Sequence, residues 1–145
     1  MRISSATPLQ ARKNVTGDPH LITVQQLHES RRAPLKVLGN VIDLLVERYQ
    51  ITPDELRGDS KRGELVYVRQ LFCYWVRWYY ATEVSLNAIA HLLNRSDHTT
   101  VIHACKAFSS RISANNKLPK KLRKISSGTK EDFFTVQQLI KIRCL

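Results

Sequence analysis

Leu38, Val41, Ile42, Leu45, Val46 and Tyr49 recur three and four residues apart, which predicts a helix from Leu35. It should end near Gln50, because Thr52 precedes a proline and is pushed out of helical geometry. Pro53-Asp54-Glu55-Leu56 suits a short helical turn with proline at its first position. A polar, glycine-bounded loop follows over 57–63. Residues 64–80 then predict a long helix that is apolar almost all round, through Leu65, Val66, Val68, Leu71, Phe72, Trp75, Val76, Trp78 and Tyr79. A helix of that kind is central and touched on several sides. Ser85 to Leu93 read as a short helix with Leu86, Ile89, Leu92 and Leu93 inward, closed by three polar residues, Asn94-Arg95-Ser96.

Ser96 or Asp97 can cap the next helix, since a short side-chain oxygen accepts from the free N–H groups of a first turn. At 100° per residue, Val101, Cys105, Phe108 and Ile112 fall on one apolar stripe of that helix. Thr99, His103, Lys106 and Ser110 fall opposite them. The pattern therefore predicts an all-α fold, a small helical bundle. Within it, helix, tight turn and helix with a polar outward face form a helix-turn-helix.

The flanks differ from this middle. Residues 1–20 are polar and read as a flexible arm; Leu21 to Leu27 is short and apolar, and Arg31-Arg32-Ala33-Pro34 should break the chain. Thr23-Val24-Gln25-Gln26-Leu27 recurs as Thr135-Val136-Gln137-Gln138-Leu139, a single pair and so no repeat array. The expected organisation is a basic N-terminal arm over 1–34, a helical domain holding the helix-turn-helix over 35–116, and a lysine-rich segment with a last helix over 117–145.

Charge sharpens the picture. The formal net charge is +11, distributed as +3 over 1–34, +2 over 35–116 and +6 over 117–145. Lys117, Lys120, Lys121, Arg123 and Lys124 crowd around one proline, which favours a polyanion such as DNA or RNA. A membrane surface is disfavoured, because only Leu118, Leu122 and Ile125 lie beside those lysines. Arg69 and Arg77 interrupt the richest apolar stretch, so no membrane span is expected. Three cysteines without paired spacing read as reduced core residues, and with no apolar leader at Met1-Arg2-Ile3 a cytoplasmic location is expected.

Asp97-His98-Thr99-Thr100-Val101-Ile102-His103-Ala104 resembles the signature of the C-terminal, box-binding domain of the bacterial replication initiator DnaA. Ser85-Leu86 and Ile89 resemble the first helix of that family's helix-turn-helix. Gly58 to Gln70 is similar to its basic loop and the start of its central helix, and Lys130-Glu131-Asp132-Phe133 is a weaker echo near the end. The resemblance spans roughly 35–116. It implies sequence-specific binding of double-stranded DNA in replication initiation or its regulation, with replication proteins as further partners.

The expected roles combine this resemblance with the chemistry of the residues. Asp97, His98 and Thr99 would read base edges; Thr100 and His103 would touch backbone or the adjoining strand. Lys106 and Arg95 would hold phosphate. Lys61, where the family more often has arginine, would enter the minor groove with Arg62. Lys117, Lys120, Lys121, Arg123 and Lys124 would add sequence-independent attraction. Asn94-Arg95-Ser96 stands where the family commonly has Gly-Gly-Arg, and asparagine tolerates the left-handed backbone that a tight turn needs.

No enzyme emerges. A phosphate-cradling Gly-x-x-x-x-Gly-Lys-Ser/Thr stretch is absent, so neither nucleotide nor other cofactor is expected. His98 and His103 lie about 140° apart on a helix and cannot easily share a metal. Cys105 is expected inward, away from any nucleophilic role. A transcription regulator, or a basic adaptor or RNA-associated protein using the helices as a scaffold, are the competing readings.

Overall fold

The computed structural model describes the secondary structure of residues 24–145 and the side chains of residues 34–145. The expected arm over 1–20, Leu21 to Thr23 and the side chains of Arg31, Arg32 and Ala33 lie outside the described residues, as do the side chains of the first copy of the repeated pentapeptide. Among the described residues there are six α-helices, one 3-10 turn and no strand, so the fold is all-α. The chain divides into two compact units, Met1–Lys36 and Val37–Leu145. Among the described residues, the buried apolar core lies within the second unit.

The first helix, α1 (Val24–Tyr49), begins well before Leu35 and carries Pro34 inside it, so the expected break does not occur there. An internal proline removes one ladder hydrogen bond and crowds the preceding turn. That costs about 3 kcal/mol, which disfavours a helix without forbidding it. The end of α1 is where the sequence places it. Gln50 turns into left-handed backbone at φ 54, and Ile51 N–H donates back to the Val46 carbonyl at 3.1 Å. Thr52 then caps α2 (Pro53–Arg57): its hydroxyl accepts from Glu55 N–H while the Glu55 carboxylate accepts from Thr52 N–H. This reciprocal pairing satisfies two donors at once.

The central helix, α3 (Gly63–Tyr79), buries Leu65, Tyr67, Val68, Leu71, Phe72, Cys73, Trp75 and Val76. It is less completely enclosed than its composition suggests. Trp78 is 58% exposed and Tyr79 43%, because at the last turn only the face bearing Trp75 and Val76 meets neighbours. The next helices are α4 (Leu86–Leu92) and α5 (His98–Ala114), and α5 packs chiefly on α3. Phe108 of α5 meets Tyr67 and Tyr74 of α3 with ring centroids 5.6 and 5.4 Å apart. Phe133, from α6 (Thr129–Arg143), closes the same cluster against Tyr74 and Phe108. Aromatic pairs in such tilted and edge-on arrangements add to what area burial alone contributes.

The lysine-rich stretch is seated on the core. Leu118 and Leu122 are buried, and the 3-10 turn Lys120–Leu122 packs against α3. Beyond it, Phe133, Val136 and Ile140 turn α6 inward. Asp132 on α6 is fully buried and accepts from Arg48 Nη2 at 2.6 Å, from the Tyr49 hydroxyl at 2.5 Å and from the Tyr67 hydroxyl at 2.7 Å. Burial, reinforced by neighbouring negative charge, pushes both phenols well above their ordinary range, so both remain donors at neutral pH. One carboxylate thus ties α1, α3 and α6 together. No described helix is long and apolar enough to cross a membrane.

Candidate nucleic-acid interface

The α4–α5 turn is made possible by one residue. Asn94 adopts φ 58, the left-handed conformation that asparagine tolerates better than most side chains. Arg95 N–H then donates to the Ala90 carbonyl at 2.8 Å, closing α4 and redirecting the chain. Asp97 caps α5 by accepting from Thr99 N–H at 2.9 Å. That hydrogen bond, before the nearby histidines, holds the Asp97 carboxyl below the usual carboxylate range, so it is ionised at neutral pH. His98 Nδ1 lies 3.5 Å from the same carboxylate oxygen.

Val101 and Phe108 anchor α5 inward, while Cys105 and Ile112 are half-buried on the same stripe. On the outside, Asp97, His98, Thr99, Thr100, His103, Lys106 and Ser110 are all exposed. A carboxylate, hydroxyls, imidazoles and an ammonium are therefore exposed over the first turns of one helix, with Thr99, His103, Lys106 and Ser110 in a row on its outer face and His98 and Thr100 to either side. Burial pushes the Cys73 and Cys105 thiols up, which leaves them protonated and poor nucleophiles at neutral pH.

Arg95 does not join that row. Its guanidinium donates to the carbonyls of Arg57 at 3.1 Å, Leu93 at 3.0 Å and Gly58 at 2.7 Å. The bend between α4 and α5 aims the side chain at carbonyls left free where α2 ends. Arg69 does the same from α3, donating to Glu55, Leu56 and Ser60 carbonyls at 2.7, 2.7 and 2.5 Å. Arg57 Nε reaches the Leu92 carbonyl at 3.1 Å. Arg95 and Arg57 thus tie the end of α2 to the α4–α5 turn, and Arg69 ties α2 and the following loop to α3. Sequence reasoning missed this function for Arg69 and Arg57. The only signal was the number of carbonyls that a glycine-bounded loop must leave unpaired.

On that loop Lys61 is exposed and, among the described residues, in no ion pair. Arg62 instead pairs with Glu55 and lies 3.7 Å from Glu64. Lys121 Nζ approaches the same Glu64 carboxylate at 3.5 Å. Lys117, Lys120 and Lys124 are exposed, whereas Arg123 Nε donates to the Leu118 carbonyl at 3.0 Å within its own turn. The structure ties the α2–α3 loop to the α4–α5 turn through Arg95, and Glu64 at the start of α3 to the lysine segment through Lys121. It engages Arg95 with carbonyls, and it partly neutralises Arg62.

The comparisons with known proteins agree with this architecture. The family described as bacterial DnaA protein helix-turn-helix matches residues 38–107. The chain is similar to the chromosomal replication initiator protein DnaA of Nostoc punctiforme, 29% identical over 86 residues that make up 59% of this chain and 18% of the relative. Its counterpart in Microcystis aeruginosa is 29% identical over 96 residues, 63% of this chain and 21% of the relative. That of Gloeobacter violaceus is 34% identical over 64 residues, covering 44% and 14%. The chain thus spans about a fifth or less of the length of these curated relatives. No solved structure matches. Residues 38–107, a little under half of the chain, are thus similar to the bacterial DnaA helix-turn-helix family.

Proposed function

We propose that this chain binds double-stranded DNA at DnaA-box-like sites and acts in replication initiation or its regulation, without enzymatic activity of its own. The observation that carries this reading is the exposed row over the first turns of α5, from Asp97 to Lys106, held outward by Val101 and Phe108. In a major groove the Asp97 carboxylate accepts from a cytosine amino group, the Thr99 methyl meets a thymine methyl, and His98 reaches a purine acceptor. Thr100 and His103 touch backbone or the adjoining strand, and Lys106 holds phosphate. Lys61 enters the neighbouring minor groove, where a cation gains most if that groove is narrow. Arg62, paired with Glu55 and near Glu64, steadies the loop in the free chain. Double-stranded DNA is the partner, replication proteins follow from the process, and the location is the cytoplasm.

The test is binding of the parent and of Asp97→Ala to duplexes with and without an initiator-type box, at two salt concentrations. The parent should prefer the box at both salts, and the variant should lose most of that preference. Removal of one good base contact changes discrimination roughly five- to 150-fold. A parent with no preference at either salt would leave the adaptor reading, for which exposed Phe134 and Ile142 on α6 offer the surface.

A further inference from the structure

A cleft of about 550 Å³ opens between the lysine segment, the end of α1 and the start of α3. Arg62, Lys120, Lys121 and Lys124 line it, opposed by Glu55 and Glu64. Arg62 is paired with Glu55 and Lys121 with Glu64. Lys120 and Lys124 are exposed and in no ion pair among the described residues. The cleft is consequently electropositive after its internal pairs are counted. Its lysines are also firmly placed, because Leu118 and Leu122 on either side of Lys120 and Lys121 are buried in the core. Residues 117–125 lie beyond the matched family region 38–107, so this feature is an addition to the helix-turn-helix.

Its position is informative. The Gly58 end of the α2–α3 loop meets Arg95 from the presenting helix's side. The Arg62 end meets the lysine segment through Glu64. Lys61 stands between the two ends. We propose that the Lys120–Lys121–Lys124 cleft is a second DNA site, gripping the sugar-phosphate backbone just beyond the minor groove that Lys61 enters. This rests on the box-binding reading above. Glu55 and Glu64 act there as placeholders: they keep Arg62 and Lys121 extended in the free chain and give way to phosphate when the duplex arrives. Phosphate carries a full charge with several acceptor oxygens, and release of the DNA's condensed counterions favours the exchange.

The full chain is tested on duplexes carrying one box and an extra helical turn, about 10 bp, on one side or the other. The parent should gain affinity only from the flank on the Lys61 side. The K120A/K121A/K124A variant should lose that gain, with each protein's affinity for the bare box as its own reference. Its slope of log affinity against log salt on the flanked duplex should fall by about 2.7, three phosphates' worth. A second variant, Glu64→Gln, should bind the flanked duplex more tightly than the parent, since Lys121 is released. Helix content and melting are followed for both; the three lysines are exposed, so the triple variant should melt as the parent does. Equal gain from either flank, or a triple variant indistinguishable from the parent with box preference intact, overturns the clamp alone. A parent without box preference overturns both readings together. If polyglutamate binds through these lysines while the flank contributes nothing, the cleft belongs to an acidic protein partner and the proposal falls.

Discussion

Two helices of this chain begin beside an aspartate, and the two carboxylates meet opposite fates. Asp97 at the start of α5 is exposed and accepts one backbone hydrogen bond. Asp132 in the first turns of α6 is fully buried and accepts from an arginine and two tyrosines. Both positions suit a negative charge, because the free N–H groups of a helix start carry partial positive charge. The difference arises from what each helix packs against. The start of α6 is inserted between α1 and α3, so its carboxylate must be compensated internally. The start of α5 projects beyond α3 and α4, so its carboxylate keeps a free oxygen for a partner.

Substitutions at these two helix starts should separate holding from reading. Asp132→Ala should cost about 3–5 kcal/mol, because it leaves the Arg48 charge half-buried without its partner. Denaturant unfolding measures it, and a loss below about 1 kcal/mol would mean that the clasp is dispensable. Gly128→Ala just before α6 should cost about 1–3 kcal/mol. A Cβ there would stand 2.7 Å from the Asn115 side-chain oxygen, which itself accepts from Lys130 N–H. On the α5 side, Arg95→Ala should destabilise by about 1–2 kcal/mol through its orphaned carbonyls. It should leave the salt slope of DNA binding unchanged; an arginine that held phosphate would lower the slope by about 0.9.

The smallest effect on stability is expected for Asp97→Asn, since asparagine caps as well as aspartate does. Its base preference should nevertheless change, because the amide adds donors where the carboxylate only accepts. Acid supplies a further contrast. The Asp97 carboxyl titrates below its ordinary range in the folded chain, so its capping contribution is fully present above that range. It should be lost as pH falls through the lower folded value. The Thr99 amide resonance would report this titration in the parent, and the same profile in D97N would dissociate it from the cap.

Much of this was legible from residue order. The helix of α5, its buried Val101 and Phe108, its exposed Thr99, His103 and Lys106, and the tolerance of Asn94 for the turn all follow from local rules. Those rules concern neighbours three or four residues away, or a single residue's backbone freedom. The start of α1 was misjudged at Pro34, where a local penalty was read as a stop. The carbonyl contacts of Arg95 were hidden for a different reason: a basic side chain in a turn looks outward until the carbonyls of a distant loop are known to face it.

Residue order alone therefore determined the helices, the polar face of α5 and the family signature, since these depend on periodicity and side-chain type. Only the tertiary structure decided which charges are available. Arg95 and Arg69 hold carbonyls, Arg62 holds glutamates, Asp132 holds the core, and Lys61, Lys106, Lys120 and Lys124 remain at the surface. The physical reason is that a charge is satisfied by whatever partner lies within hydrogen-bonding reach. For Arg95 and Asp132 that partner is dozens of residues away along the chain.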